Sequence, residues 1–564
     1  MIHSNHPRGL YALFFAELWE RFSYYGMRGL MMPFMMAPVV LGGLGFEAKY
    51  RAMIYGTYTM SVYMLSIPGG FIADNFLGAR RSVLVGGVII SAGHFTLAVR
   101  SETAFFIGLI LIALGTGLLK PNISTMVGAL YKDDDSRRDA GFSIFYMGIN
   151  LGAFLAPLVT GWLAQSNEFK VILRNNGLDP LHCWHWGFAA AGVGMLIGLA
   201  VYVFTGKQFA HVGLPPAKDK PRPWGMLGLV LLGAAGVFGL VHISDTDPRF
   251  EWIRYGYIVV PILAILWFGF RDEVSSRRLA AILIYSLAAI VFWAIFEQAG
   301  SSISVIAENL THCVILGYKF PSAWFQSVNS LFVVMLAPLF AILWARWGAG
   351  QPSSPMKFVY ALVFLGISFV LMVPAAKLTA LGKIGPMWLV WLFFIQTIGE
   401  MCLSPVGLST MTKLAPTNLV GLVMGIWFLA TALGSKLAGV LAGTFEFINE
   451  KQLATELAGK LGDVPGVAAT NITATLDSML STNLYTVPRE QLAGKLSTGL
   501  ADTYSSIEPA ATADVFQPVL NQAFAQGGAE MSDFFLHQAL WVGVATVVLL
   551  ACVPWLKRLM GDVK

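Results

Sequence analysis

The sequence predicts an all-α integral membrane protein with fourteen transmembrane helices, grouped six, two and six. Three observations lead there: a shortage of charge, apolar runs that recur along nearly the whole chain, and basic residues gathered in alternate connections. Of 564 residues, 56% are hydrophobic and 12% are charged, against about 25% charged in a soluble domain. Water cannot be the main solvent of such a chain.

Crossing a hydrocarbon core takes about 20 residues of helix. Runs of that order lie near 11–41, 50–73, 81–99, 104–129, 140–164, 185–204, 223–243, 253–270, 279–309, 322–347, 356–376, 386–412, 418–446 and 534–557. Residues 1–206 hold the first six, 207–278 a linker with two further spans, and 279–446 helices seven to eleven of the second six. The linker opens on the basic, proline-bearing GKQFAHVGLPPAKDKPRPWG and closes on RDEVSSRR, so its two spans read as an inserted hairpin that tethers the bundles. Residues 534–564 supply the last helix and a tail.

With the N-terminus inside, the inner connections hold Arg80, Arg81, Lys132, Arg137, Arg138, Lys207, Lys218, Lys220, Arg222, Arg271, Arg277 and Arg278, and the tail holds Lys557, Arg558 and Lys564. The outer connections are poorer in basic residues. That asymmetry follows the positive-inside rule and predicts a multi-pass protein of a bacterial inner membrane with both termini cytoplasmic. The net charge of +5 is therefore a topology signal and not a nucleic-acid footprint. The start, MIHSNHPRGLYALFF, lacks a cleavable signal pattern. Cys402 and Cys552 fall within spans, while Cys183 and Cys313 fall in outer connections of opposite halves, where a disulfide would need close approach of the two.

Residues 447–533 form the one long connection, about 85 residues where loops beyond about 15 are uncommon. It is polar and acidic on balance. LAGKL occurs at 457–461 and again at 492–496, which predicts two similar short amphipathic helices.

Ionisable residues inside the apolar spans are the strongest functional signal. Each costs about 2.5–3.5 kcal/mol at a helix centre, so four in one span cost on the order of 10 kcal/mol unless they pair or meet water. The first span has that load. Glu17, Glu20, Arg21, Tyr24 and Arg28 recur at spacings of three and four and share one face, with Tyr25 beside them. Glu17 and Arg21 are spaced to pair within the helix. A stripe of this kind points to a water-filled path. Lys120 in GTGLLKPNIS, Glu297 in FWAIFEQAGSS and Glu400 in TIGEMCLSPVG each put one charge in another span. Desolvated carboxylates give up their charge readily and are candidate proton carriers. Arg21 and Lys120 facing Glu400 would suit a zwitterion whose carboxylate and ammonium are well separated. Asn150, Asn329, Tyr24, Tyr25, Tyr63 and Trp427 supply polar and aromatic lining.

These residues match a known family. ELWERFSYYGMRGLM, PGGFIADNFLG, GTGLLKPNIS, FYMGINLGAF, FWAIFEQAG, GEMCLSPVGLS and MGIWFLATALG together resemble the proton-dependent oligopeptide transporters of the major facilitator superfamily, in the bacterial branch with two extra helices. The resemblance implies two six-helix bundles with a site at their midplane interface, and a symporter that imports di- and tripeptides by alternating access with protons as the coupling ion. It assigns Glu17, Glu20 and Arg21 to proton coupling, and Arg21, Lys120, Tyr25 and Asn150 to the peptide carboxylate. Glu400 and Asn329 fall to the peptide amine, and Tyr24, Tyr63 and Trp427 to the pocket wall. Glu297 matches an acidic position that pairs with Arg28 and governs opening. No histidine lies between 50 and 73, so coupling rests on carboxylates; Ser330 and Leu118–Leu119 depart from the family pattern. A relative moving nitrate or another small solute is an alternative, although an anion site has no use for Glu400. A non-transporting peptide sensor is another. No HExxH, nucleophile-elbow or GxxxxGK[ST] pattern supports an enzyme or an ATP-driven pump. Metal and organic cofactors are not expected, and a monomer suffices.

Overall fold

A computed structural model describes the chain except residues 1–5, 133–134, 136, 218–221, 251, 254–262, 264–275, 416–419, 463–466 and 561–564. Ten of the described helices are long and apolar enough to cross a membrane. The first bundle comprises α1 (Arg8–Met36), α2 (Ala48–Met64) continued by α3 (Ser66–Ile72), α4 (Ala79–Leu97), α5 (Glu102–Ala129), α6 (Arg138–Gln165) and, after the short surface helix α7 (Asn167–Asn175), α8 (Cys183–Phe204). Within it, α1 lies against α6 and α8, and α4 against α5.

The predicted span 50–73 is broken. Pro68 has no N–H to offer the carbonyl of Met64, so the helix resets at Leu65 and the second piece ends in a π turn, Ala73–Leu77. The first helix of the inserted hairpin is α9 (Trp224–Thr246). Leu229, Leu231, Leu232 and Leu240 stay exposed along it, as a peripheral helix facing lipid requires. The predicted second span of the hairpin, 253–270, lies outside the described residues almost entirely, as do Lys218, Lys220 and Arg271.

The second bundle begins with α10 (Ser276–Phe296). A 3-10 turn, Glu297–Gly300, and α11 (Ser302–Asn309) complete its first span. A two-stranded hairpin, β1 (Val314–Ile315) and β2 (Tyr318–Lys319), leads to α12 (Phe325–Trp347). The bundle continues with α13 (Ser354–Leu378), α14 (Met387–Leu414) and α15 (Val420–Ala442). Contact between bundles runs through α2 with α15 and α6 with α12.

Residues 447–533 are not a loop. They fold into α16 (Glu450–Leu461), α17 (Ala469–Asn483), α18 (Arg489–Thr503) and the first half of α19 (Pro509–Met560). Both LAGKL copies are helical, with Leu457, Ala458, Leu492, Ala493 and Leu496 buried. The last helix starts at Pro509, well before residue 534, because hydropathy registers only the stretch that meets lipid. Phe516, Val519, Leu520 and Phe524 form a buried stripe at spacings of three and four that holds the earlier stretch helical against the other three. We call this four-helix unit the cap. It is docked. Arg489 donates to the carbonyls of Thr379 and Ala380 at the end of α13 (Nη1 to Ala380 O, 2.7 Å) and lies 3.7 Å over the ring of Phe524, while Lys451 pairs with Glu47 at 2.6 Å. The four cysteines are free, Cys183 and Cys313 included, and the Cys313 thiol donates to the carbonyl of Ala307 at 3.3 Å.

Bonds from a guanidinium contribute about 1.5–3 kcal/mol each. Arg489→Ala should therefore speed amide exchange in α16, α17 and α18 by about tenfold or more while leaving α5 and α10 unchanged.

Candidate functional site

α1 brings a charged face into the interior between the bundles. Glu17, Glu20 and Arg21 are each at most 3% exposed. Arg21 Nε lies 3.0 Å from Glu17, one turn away, and also pairs with Glu20. Its guanidinium stands 5.4 Å from the ring centre of Tyr24. Glu17 Oε2, both Glu20 oxygens and Arg21 Nη2 nonetheless have no hydrogen-bond partner among the described residues. Charge proximity and not aligned bonding holds this cluster, and buried polar atoms left unbonded are rare in a helix that serves only packing.

Lys120 reaches the cluster from α5, where Pro121 interrupts the helical hydrogen bonds. Its Nζ sits 3.8 Å over the ring of Tyr63 and within electrostatic reach of Arg21, Glu20 and Glu17. Asn150, on α6, donates to the carbonyl of Tyr146 at 3.0 Å. From the other bundle, Asn329 on α12 donates to Glu400 at 3.0 Å and to Thr397 at 2.9 Å, both on α14. Glu400 interacts electrostatically with Tyr25 and Tyr146, which places it opposite the first bundle's polar wall. Thus α1, α5 and α6 offer Arg21, Lys120 and Asn150, and α12 and α14 offer Asn329 and Glu400.

Farther along α1, Arg28 pairs with Glu297 of the opposite bundle. The 3-10 turn aims that carboxylate inward. Arg28 Nε also donates to the Tyr55 hydroxyl at 2.8 Å. Tyr55 is completely buried, and Gly300 makes room for it: a Cβ there would lie 1.8 Å from its hydroxyl. More bonds between bundles follow on the same side of the membrane. Gln165 donates to Glu308 at 2.9 Å, Trp324 to the carbonyl of Leu158 at 3.1 Å, and Ser327 to that of Phe154 at 2.7 Å. These bonds all lie toward the cap, and together they close the path on the cap side.

Trp427 stands apart from this group. It is buried in the core of the second bundle, 6.2 Å from Phe358, with its ring over Gly407. Sequence reasoning missed Tyr55, Thr397 and Tyr146, because a tyrosine or threonine in a span costs little and raises no alarm.

The sequence profile of the POT family matches residues 80–459. The chain belongs to that family. It is 41% identical over 455 residues to "Uncharacterized transporter YclF" of Bacillus subtilis, a match covering 79% of this chain and 89% of the relative. To "Peptide transporter YePEPT" of Yersinia enterocolitica it is 38% identical, covering 78% and 88%. A mutant of the peptide transporter POT solved in complex with alafosfalin superposes with a TM-score of 0.73 at 33% identity, covering 100% of this chain and 97% of that one. As a POT family member the chain is a membrane transporter and not an enzyme.

Tyr55→Phe removes one bond to a buried cation, a contribution of about 1.5–3 kcal/mol, and keeps the ring. Spin labels across the cap-side mouth should show the open state at least about tenfold more populated.

Proposed function

We propose that the chain is a proton-coupled symporter that imports di- and tripeptides by alternating access across a bacterial inner membrane. Both termini are cytoplasmic and the cap is outside. One observation above all supports this reading: cations lie on one bundle, Arg21 and Lys120, and a carboxylate on the other, Glu400, with Tyr25 within electrostatic reach of both Arg21 and Glu400. A zwitterion with separated charges bridges them, and its length selects a short peptide over a single small ion. The names of the relatives point the same way, "Peptide transporter" and "Di-/tripeptide transporter" among them.

The coupling follows from pairing. When the peptide carboxylate engages Arg21, Glu17 and Glu20 lose their counter-ion and would remain as buried, unpaired anions. That state is costly, and taking up a proton relieves it. Glu297 does the same for the mouth, since its protonation releases Arg28 and lets the cap side part. Tyr25 and Asn150 orient the bound carboxylate, Asn329 positions Glu400 for the amine, and Tyr24 and Tyr63 wall the pocket. Protons are the coupling ion, with no metal or organic cofactor, and one chain holds both bundles, so a monomer is sufficient.

Uptake into proteoliposomes tests this directly. Glu17→Gln, Glu20→Gln and Glu297→Gln should each abolish proton-driven accumulation while counterflow survives; undiminished accumulation in all three would refute the coupling scheme. Lys120→Ala should weaken binding of a dipeptide about 10–150-fold and that of its C-terminal amide far less. Equal losses would reduce Lys120 to a structural role.

A further inference from the structure

A second buried ion pair lies away from the transport site and joins three parts of the fold. Lys436 of α15 pairs with Asp245 at the end of α9, and the two side chains are 1% and 4% exposed. Thr57 of α2 completes the cluster. Its hydroxyl accepts from Lys436 Nζ at 2.8 Å and donates to Asp245 Oδ2 at 3.3 Å. Thus the inserted hairpin, the second bundle and the first bundle meet at one hydroxyl group.

Beside this cluster the two bundles touch backbone to backbone. A Cβ added at Gly56 would lie 2.9 Å from Gly439 Cα, and one at Gly439 would lie 2.6 Å from Gly56 Cα. Gly56 precedes Thr57 directly, and Gly439 is one turn beyond Lys436. The contact lies in the cap-side half of both helices, since α2 begins there and α15 ends there. Opening the path on that side must separate α2 from α15. Lys436 then loses its bond to Thr57 while it is still held by the hairpin.

We propose that Asp245, Lys436 and Thr57 form a latch through which the inserted hairpin sets the balance between the two access states. This rests on the alternating-access reading above. Asp245 has two effects. It makes a lysine tolerable within the membrane, where an unpaired charge is expelled or neutralised, and it fixes Lys436 at the seam, aimed at the opposite bundle. The hairpin thereby stabilises the cap-side-closed state and slows its opening, although it lies at the lipid-facing edge. These are positioning residues, since their contacts to one another join helices and include none of the groups that would hold peptide or protons.

The test uses the full chain in nanodiscs, labelled at Lys49→Cys and Thr444→Cys, both exposed at the cap-side ends of α2 and α15. Pulsed spin-label distances report the open and closed populations without any need for transport. Thr57→Val, which leaves the Asp245–Lys436 pair intact, should raise the open-to-closed ratio about tenfold, and Thr57→Ser should restore it. Asp245→Asn should shift the ratio at least as far, and the peptide KM measured from the cap side should fall with it. An unmoved ratio in Thr57→Val would overturn the latch, as would a shift that Thr57→Ser fails to reverse. Should Asp245→Asn fail to fold, the threonine pair still decides. A shifted ratio in a chain that moves no peptide would uphold the latch and sink the transport reading instead.

Discussion

Hydrocarbon does not hydrate a charge, so each ionised group within the membrane has to find its partner on another helix. Arg28 shows how far that requirement reaches. No acid within a turn of it on α1 can neutralise it, and the carboxylate that does, Glu297, belongs to the opposite bundle. Reaching it requires a helix that stops being α-helical at that point, and α10 gives way to the 3-10 turn there. Such irregular backbone survives at membrane depth only where protein surrounds it. The buried Tyr55 brings α2 into the same contact. One pairing therefore aligns α1, α2 and the broken seventh span, and the shut cap side follows from it.

What could be read from the sequence divides along the same line. The stripe on α1, with Lys120, Glu297 and Glu400, stood out because those residues break a hydrophobic pattern at a known energetic cost. Lys436 broke its span in the same way, but the one acid in that span, Glu446, stands ten residues away at its end, and Asp245 sits just past the end of the apolar run 223–243. Nothing along the chain connects two residues so far apart in sequence. Tyr55 was hidden for a different reason, since an aromatic in a span fits the apolar pattern that surrounds it. The break at Leu65 had a signal in Pro68, but hydropathy averages over it. The long α19 was obscured by its change of solvent: its first half follows an amphipathic period and its second a continuous apolar run, and a window tuned to one cannot report the other.

The cap raises the question of what a helical unit does over a closed mouth. Between it and the ends of α1 and α11 is a cavity of about 690 Å³ whose lining includes Glu47, Arg51, Glu446, Glu450 and Asp477. Burial pushes the Glu450 carboxyl up to about 7, with Arg51 opposing and Asp477 and Glu446 reinforcing that shift. An acid whose folded-state value is raised stabilises its surroundings while protonated, and that contribution is lost as pH rises from about 4.5 through 7. The cap is therefore held more firmly in acid. With the cap outside, as proposed above, and protons more abundant there, the docking is firmest under the conditions that would drive import.

Counting charges in the transport site ties the proposed substrate to the proposed coupling ion. Four carboxylates, Glu17, Glu20, Glu297 and Glu400, face three cations, Arg21, Arg28 and Lys120. Arg28 and Glu297 satisfy each other across the mouth. Arg21 and Lys120 balance Glu17 and Glu20 within the first bundle, which leaves Glu400 held only by the neutral Asn329. The empty site thus has one negative charge in excess, and an amine is what it lacks. A dipeptide supplies the amine but adds a carboxylate, so the total does not change and one anion is still without a partner. A single proton on Glu17 or Glu20 removes that excess and frees a cation for the peptide carboxylate at the same moment. One proton per zwitterion is then the smallest proton load that leaves every charge in the peptide-bound site paired, and peptide without a proton leaves a buried charge that resists the passage between states.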